Sequence, residues 1–140
     1  MRQIKFRGKR VDNGEWVYGD YFKTPLTDEN SGLPPDSGWF FLTGKTNHCI
    51  GQDGVAFVVD PATVSQFTGL LDKNGKEAYE ADIMPTRFGN RVIFWDEKRF
   101  SFCYTMPVMG QSEEGVFNIY NHSDPEVIGN LHDSPSLTNH

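Results

Sequence analysis

The chain has 140 residues, of which 37% are hydrophobic, 14% aromatic and 23% charged, with a net charge of −6. That length fits one domain, or one domain with a small appendage, with a core that needs no disulfide or metal staple, and that composition excludes a disordered chain. No run approaches the ~20 consecutive apolar residues of a membrane-spanning helix, no apolar signal core follows Met1-Arg2-Gln3-Ile4-Lys5, and two cysteines, Cys49 and Cys103, make no disulfide scaffold. The chain is therefore expected in the cytosol, with both thiols reduced and packed as small apolar groups.

In chain order, Ile4 and Phe6 alternate with Lys5 and Arg7, which predicts a half-buried strand, and Asp12-Asn13-Gly14 supplies a tight turn. Trp16, Tyr18 and Asp20 fall on one face of the next run, and Val17, Gly19 and Tyr21 on the other, completing an opening hairpin. From Thr24 to Ser37 a polar stretch bounded by proline and glycine reads as a long surface loop, an insertion over 24–38. Trp39-Phe40-Phe41-Leu42 and Val55-Ala56-Phe57-Val58-Val59 read as core strands, the second preceded by a Gly51-Gln52-Asp53-Gly54 turn. Asp60-Pro61 ends it, with Asp60 placed to cap a short helical turn over Pro61-Ala62-Thr63-Val64.

The stretch from Val64 to Ile83 is dense in turn chemistry and charge. Gly69 and Asn74-Gly75 supply tight geometry; Leu70, Tyr79 and Ile83 are expected to dock into the core; Asp72, Lys73, Lys76, Glu77 and Glu80 are expected in solvent; Asp82 is expected to cap backbone amides. After it, Arg91–Trp95 and the alternating Phe100, Phe102 and Tyr104 predict a hairpin joined by Asp96-Glu97-Lys98-Arg99. Val116–Tyr120 and Val127–Leu131 are the last core segments, and the tail after Pro135 is expected to fray. No segment keeps a 3.6-residue apolar period over three turns. The pattern predicts an all-β fold, a small barrel of short strands with long loops and one or two short helical turns.

Charge is uneven along this pattern. Residues 1–24 hold six basic groups against three acids, and residues 110–140 hold five acids with no Lys or Arg. The simplest expectation is that the two ends lie near each other and partly neutralise; the alternative is a basic patch for an anionic partner.

Metal, cofactor and catalytic signatures are missing. His48 and Cys49 are adjacent, so on a strand they point to opposite faces, and no paired-cysteine or paired-histidine spacing occurs. Asp72-Lys73-Asn74-Gly75 places glycine too early for a calcium loop. There is no G-x-S-x-G elbow and no phosphate-binding glycine loop, and Glu80 and Asp82 read as a solvated turn or a backbone cap before they read as an acid–base pair. The chain is expected to be no enzyme and to carry no cofactor. For nucleic acid, Lys5, Arg7, Arg91, Lys98 and Arg99 lie near Phe6, Phe94, Trp95 and Phe100, the residue types of single-strand binding, but the −6 charge opposes the long-range attraction.

Thr68-Gly69-Leu70, then Asp72-Lys73-Asn74-Gly75-Lys76-Glu77, Tyr79-Glu80 and Asp82-Ile83 resemble the central block of the YopX-like family, which is found in bacteriophages and prophages. The start, Ile4–Lys9 with Gly14–Gly19, and the end, Val127–Leu131 with Asp133, Pro135 and Leu137, are similar to the family's opening and closing motifs. Two positions depart from it: Ala78 stands where an aliphatic such as isoleucine is usual, and Ala81 where glycine is usual. Ala81 implies either an ordinary backbone conformation there or mild strain. The resemblance implies a single β-rich domain over 1–137 with a frayed tail at 138–140, encoded by a phage or prophage and located in the bacterial cytoplasm. It brings no catalytic residue, cofactor or substrate with it. The functional expectation is an accessory binding module acting through protein–protein contacts, by self-association or with a host or phage protein, anchored by aromatics such as Trp16, Trp39 or Trp95. The alternative is single-stranded nucleic-acid binding.

Overall fold

The computed structural model describes residues 3–25 and 46–138. They fall into two compact units, Lys5–Val64 and Ser65–His140 with Met1–Ile4. Among the described residues the structure is strands and three short 3-10 turns, so the class is mainly β, as the sequence predicts.

In Lys5–Val64, β1 (Phe6–Lys9), β2 (Trp16–Pro25), β3 (Thr46–Gln52) and β4 (Val55–Val58) lie in the order β4-β3-β2-β1, each antiparallel to its neighbour. The opening hairpin is present, with Lys9 opposite Trp16 and Gly14 at φ +74 in its turn. Asp53 and Gly54, at φ +52 and +80, close the β3–β4 hairpin as a mirror-image turn that suits the right-handed strand twist. Val17, Ile50 and Val59 form the core, with Phe6, Tyr21, Phe57 and Val64 packed against it. Beyond β4, Asp60 caps a 3-10 turn over Pro61–Thr63, its carboxylate accepting from the Ala62 amide at 3.0 Å.

Four expectations change here. Ile4 is exposed, whereas Arg7 is only 5% exposed, its guanidinium 4.8 Å from the centre of the Trp16 ring, which gives the buried charge a π face. Val55–Val59 is an edge segment: Val55 and Val58 are exposed and only Val59 is fully buried. Thr46–Gln52 is a strand that polar Asn47 and His48 disguise in the sequence. Thr24 and Pro25 belong to β2 and not to the loop expected over 24–38; the remainder of that expectation, with Trp39–Leu42, lies outside the described residues.

In the second unit, β5 (Ser65–Leu71) pairs with β6 (Glu77–Tyr79) through a bulge between Phe67 and Leu71. A sheet of order β12-β7-β8 joins Gly129–Asn130, Asp82–Thr86 and Gly89–Val92, and a sheet of order β11-β10-β9 joins Gly115–Asn118, Ser101–Met106 and Phe94–Asp96. Ala78, Met84, Ile93, Phe102, Tyr104, Ile119 and Val127 make its core, with Leu70 and Met106 against them.

The expected barrel does not form: among the described residues these sheets are open. The run Arg91–Trp95 serves two sheets and is not one strand. It leaves β7 at Ile93, which is 1% exposed and donates its amide to Asp82 O, and Phe94–Asp96 then pairs with β10. Val116–Tyr120 also breaks, at Asn118, whose side chain caps a 3-10 turn over Ile119–Asn121. The tail does not fray at Pro135 but forms a 3-10 turn through Thr138, where Leu137 O accepts from Asn90 Nδ2 at 2.8 Å. Asn139 and His140 lie outside the described residues.

Candidate functional site

The signature residues of the central stretch divide between a clasp and a cleft. Thr68 is buried; its hydroxyl donates to Ala78 O at 2.8 Å and accepts from the Leu70 amide, stitching the bulged β5 to β6. Gly69, at φ +86, provides the left-handed residue there, and Leu70 turns into the core.

Asp72 is the centre of the clasp, and it corrects the expectation of a solvated carboxylate. It is 6% exposed, and its two oxygens accept from the amides of Asn74 (2.9 Å), Lys76 (2.8 Å) and, from the other end of the unit, Val127 (2.9 Å). Burial pushes its pKa up, but the amides of Val127, Lys76 and Asn74, with the Lys76 ammonium, outweigh burial and hold the carboxyl below the usual carboxylate range. Gly75, at φ +81, returns its amide to Asp72 O. Alongside, the Lys73 amide donates to Pro125 O, and its ammonium lies 3.3 Å from Glu126 and 3.8 Å from Asp124.

The end of the stretch is tied in a similar way. Tyr79 and Asp82 are buried, and the Asp82 carboxylate caps the Tyr79 amide at 2.7 Å, as the sequence predicts. Glu80 is half-buried, and its amide donates to Gln66 O. Between them Ala81 sits at φ +71, so of the two alternatives the strained one holds. Its amide donates to Ile93 O and its carbonyl accepts from Leu131, which fixes the conformation from both sides.

Beside the clasp an open cleft of about 790 Å³ is lined by Gln3, Phe67, Thr68, Gly69, Leu71, Glu77, Trp95, Phe100, Ser101 and Tyr120. Several of its walls are held from behind. Trp95 packs edge-on to Phe102 with ring centres 5.0 Å apart, Tyr120 donates its hydroxyl to Thr68 O, and Ser101 Oγ accepts from Asn118 Nδ2. Leu71, Trp95 and Tyr120 nevertheless stay exposed.

Phe100 is the outlier. Alternation with Phe102 and Tyr104 predicts a core residue, but it is 79% exposed at φ +49, because β10 starts one residue later and Phe100 belongs to the turn. A bulky residue in the left-handed region is uncommon and marks a position worth reading functionally. In the same turn Asp96 accepts from Arg99, and this hydrogen bond first, then the Lys98 amide, hold its carboxyl below the usual range.

Of the signature residues, Thr68 and Gly69 line the cleft, and Asp72, Asn74 and Gly75 form the clasp turn. Trp95 is legible in the sequence as an anchor; Leu71 and Glu77 face each other across the β5–β6 hairpin, and Tyr120 joins them from a distant segment that shares no spacing with them. Trp16 is half-buried beneath Arg7 and Lys9. His48 bonds Tyr21 through its ring nitrogen while Cys49 faces Thr24, and among the described residues no group of three His, Cys, Asp or Glu could hold a metal ion. Burial pushes both the Cys103 thiol and the Tyr104 phenol up. Arg91 is committed to Glu114 at 2.9 Å and to Thr105 O. No helix among the described residues is long and apolar enough to cross a membrane.

The chain is similar to the crystal structure of protein EF1440 from Enterococcus faecalis, at 26% identity and TM-score 0.46, covering 98% of this chain and 99% of that one. No curated protein matches it. The family model described as YopX protein matches residues 5–139, nearly the whole sequence and, but for Ile4, the three blocks described above, and the chain belongs to the YopX family.

Proposed function

We propose that this protein is a phage- or prophage-encoded accessory binding module of the bacterial cytoplasm, non-catalytic, which holds a protein partner in the cleft of its second unit. The observation that carries this reading is the exposed aromatic set, Trp95, Phe100 and Tyr120, on a cleft whose walls are fixed from behind. Aromatic anchors on a rigid surface are what protein interfaces use, since little side-chain freedom is lost on binding. The cleft's one serine hydroxyl, Ser101 Oγ, accepts from the Asn118 side-chain amide, a tie that holds this wall in place. The nucleic-acid alternative is weakened by the ion pairs that neutralise Arg91 and Arg99.

The test is affinity capture from induced host cells, with and without nuclease, using the full chain and its Trp95→Ala and Phe100→Ala variants. The reading expects a partner that survives nuclease and is lost with either variant. Capture that disappears with nuclease, or that ignores both substitutions, overturns it. Light scattering of the purified chain separates self-association from a foreign partner.

A further inference from the structure

The lining of the cleft is one-sided in charge. Among its described residues Glu77 carries the only charged side chain, and no Lys, Arg or His lines it. The unit that holds it, Ser65–His140 with Met1–Ile4, carries eleven acids against seven Lys and Arg, a net −4. The aromatic residues of the lining add the negative faces of their rings, which attract cations electrostatically, guanidinium most often. A surface with that sign repels acidic segments and concentrates basic ones. The volume, about 790 Å³, suits one long side chain with its flanking residues and not a folded domain.

Resting on the partner-binding reading above, we infer that the cleft takes an arginine or lysine side chain presented on an exposed segment of the protein partner. Trp95, Phe100 and Tyr120 pack along its stem and head, and Glu77 adds negative charge to the wall. Phe100 has a defined role in this arrangement: its left-handed backbone at the end of the turn, next to β10, leaves the ring exposed on the cleft lining instead of in the core.

The experiment pans the immobilised full chain against a random dodecapeptide library. Enriched peptides are resynthesised with a fluorophore and titrated by anisotropy against wild type, Phe100→Ala, Trp95→Ala and Glu77→Gln, each first checked for a wild-type melt. In matched peptides citrulline replaces arginine, or acetyl-lysine replaces lysine, removing charge at nearly constant shape. The expected result is enrichment of Arg or Lys, with about tenfold weaker binding on neutralising the peptide and on Phe100→Ala. If neutral peptides bind as well and Phe100→Ala still weakens them, the cationic ligand is wrong while the binding module stands. If no peptide binds, or binding ignores both Phe100 and Trp95, both readings fall. Because the neutralised peptide tests charge without altering the protein, a misfolded variant does not blur the outcome.

Discussion

In Lys5–Val64 each strand pairs with the strand next to it in the sequence, and turn residues such as Gly14 and Asp53-Gly54 set the hairpins. In Ser65–His140 the decisive contacts are distant: β12 joins β7, and Asp72 reaches the Val127 amide 55 positions further on. The first unit is set by hairpin turns and by close backbone approach between strands, as of Gly19 to Gly51, and in the second one buried carboxylate holds two family blocks together. The two units should therefore fail in different ways when a single residue is changed.

The largest effect is expected in the first unit at a point of close approach. A Cβ on Gly19 would lie 1.8 Å from Gly51 O on the facing backbone, which neither strand can accommodate without losing pairing. Gly19→Ala should cost more than about 4 kcal/mol and abolish the cooperative transition in urea. A normal melt would show that this register is wrong.

Next comes the clasp. Asp72→Ala leaves buried amides without their acceptor and should cost about 3 kcal/mol. The pH dependence isolates the charge. A carboxyl held below its ordinary value contributes its full stability above about pH 3.9, the ordinary aspartate value, and loses it as pH falls through the lower folded value. Wild type should therefore weaken on the acid side more steeply than Asp72→Asn in parallel denaturant titrations. Superimposable acid limbs would remove Asp72 from the account.

A smaller effect has the opposite sign. Ala81→Gly relieves a left-handed alanine and should raise stability by about 1 kcal/mol, read as a higher melting temperature. A loss instead would mean that the methyl group packs better than its backbone suffers. Smallest of all, Lys73→Ala removes partly exposed ion pairs and should change stability by less than about 0.5 kcal/mol. A larger loss would move part of the clasp from the carboxylate to the lysine.

This contrast also accounts for what the sequence discloses. Gly14, Asp53-Gly54, Gly69 and Asn74-Gly75 are legible because turn geometry depends on residues a few positions apart. The cap at Asp60 and the bond from Asp82 to the Tyr79 amide are legible for the same reason. Asp72 is not, because its burial and its third amide come from a segment far along the chain. Ile93 hides a change of sheet inside an unbroken apolar run, and Phe100 imitates the alternation of Phe102 and Tyr104 while belonging to the turn. Trp95 is visible as an anchor, but the cleft it lines depends on where the hairpin that pairs Leu71 with Glu77 meets the distant Tyr120.

The bond between Asp72 and Val127 also sets a timetable for synthesis. Hairpins of neighbouring strands close while the ribosome is still extending the chain, since their partners emerge within a few residues of each other. The carboxylate of Asp72 must wait for nearly all of the remaining sequence before its third donor exists, and closing so long a loop is slow compared with forming a hairpin. During that interval the central block is made but unfinished, so a nascent chain halted before Val127 should be protease-sensitive from Ser65 onward while its opening strands already resist.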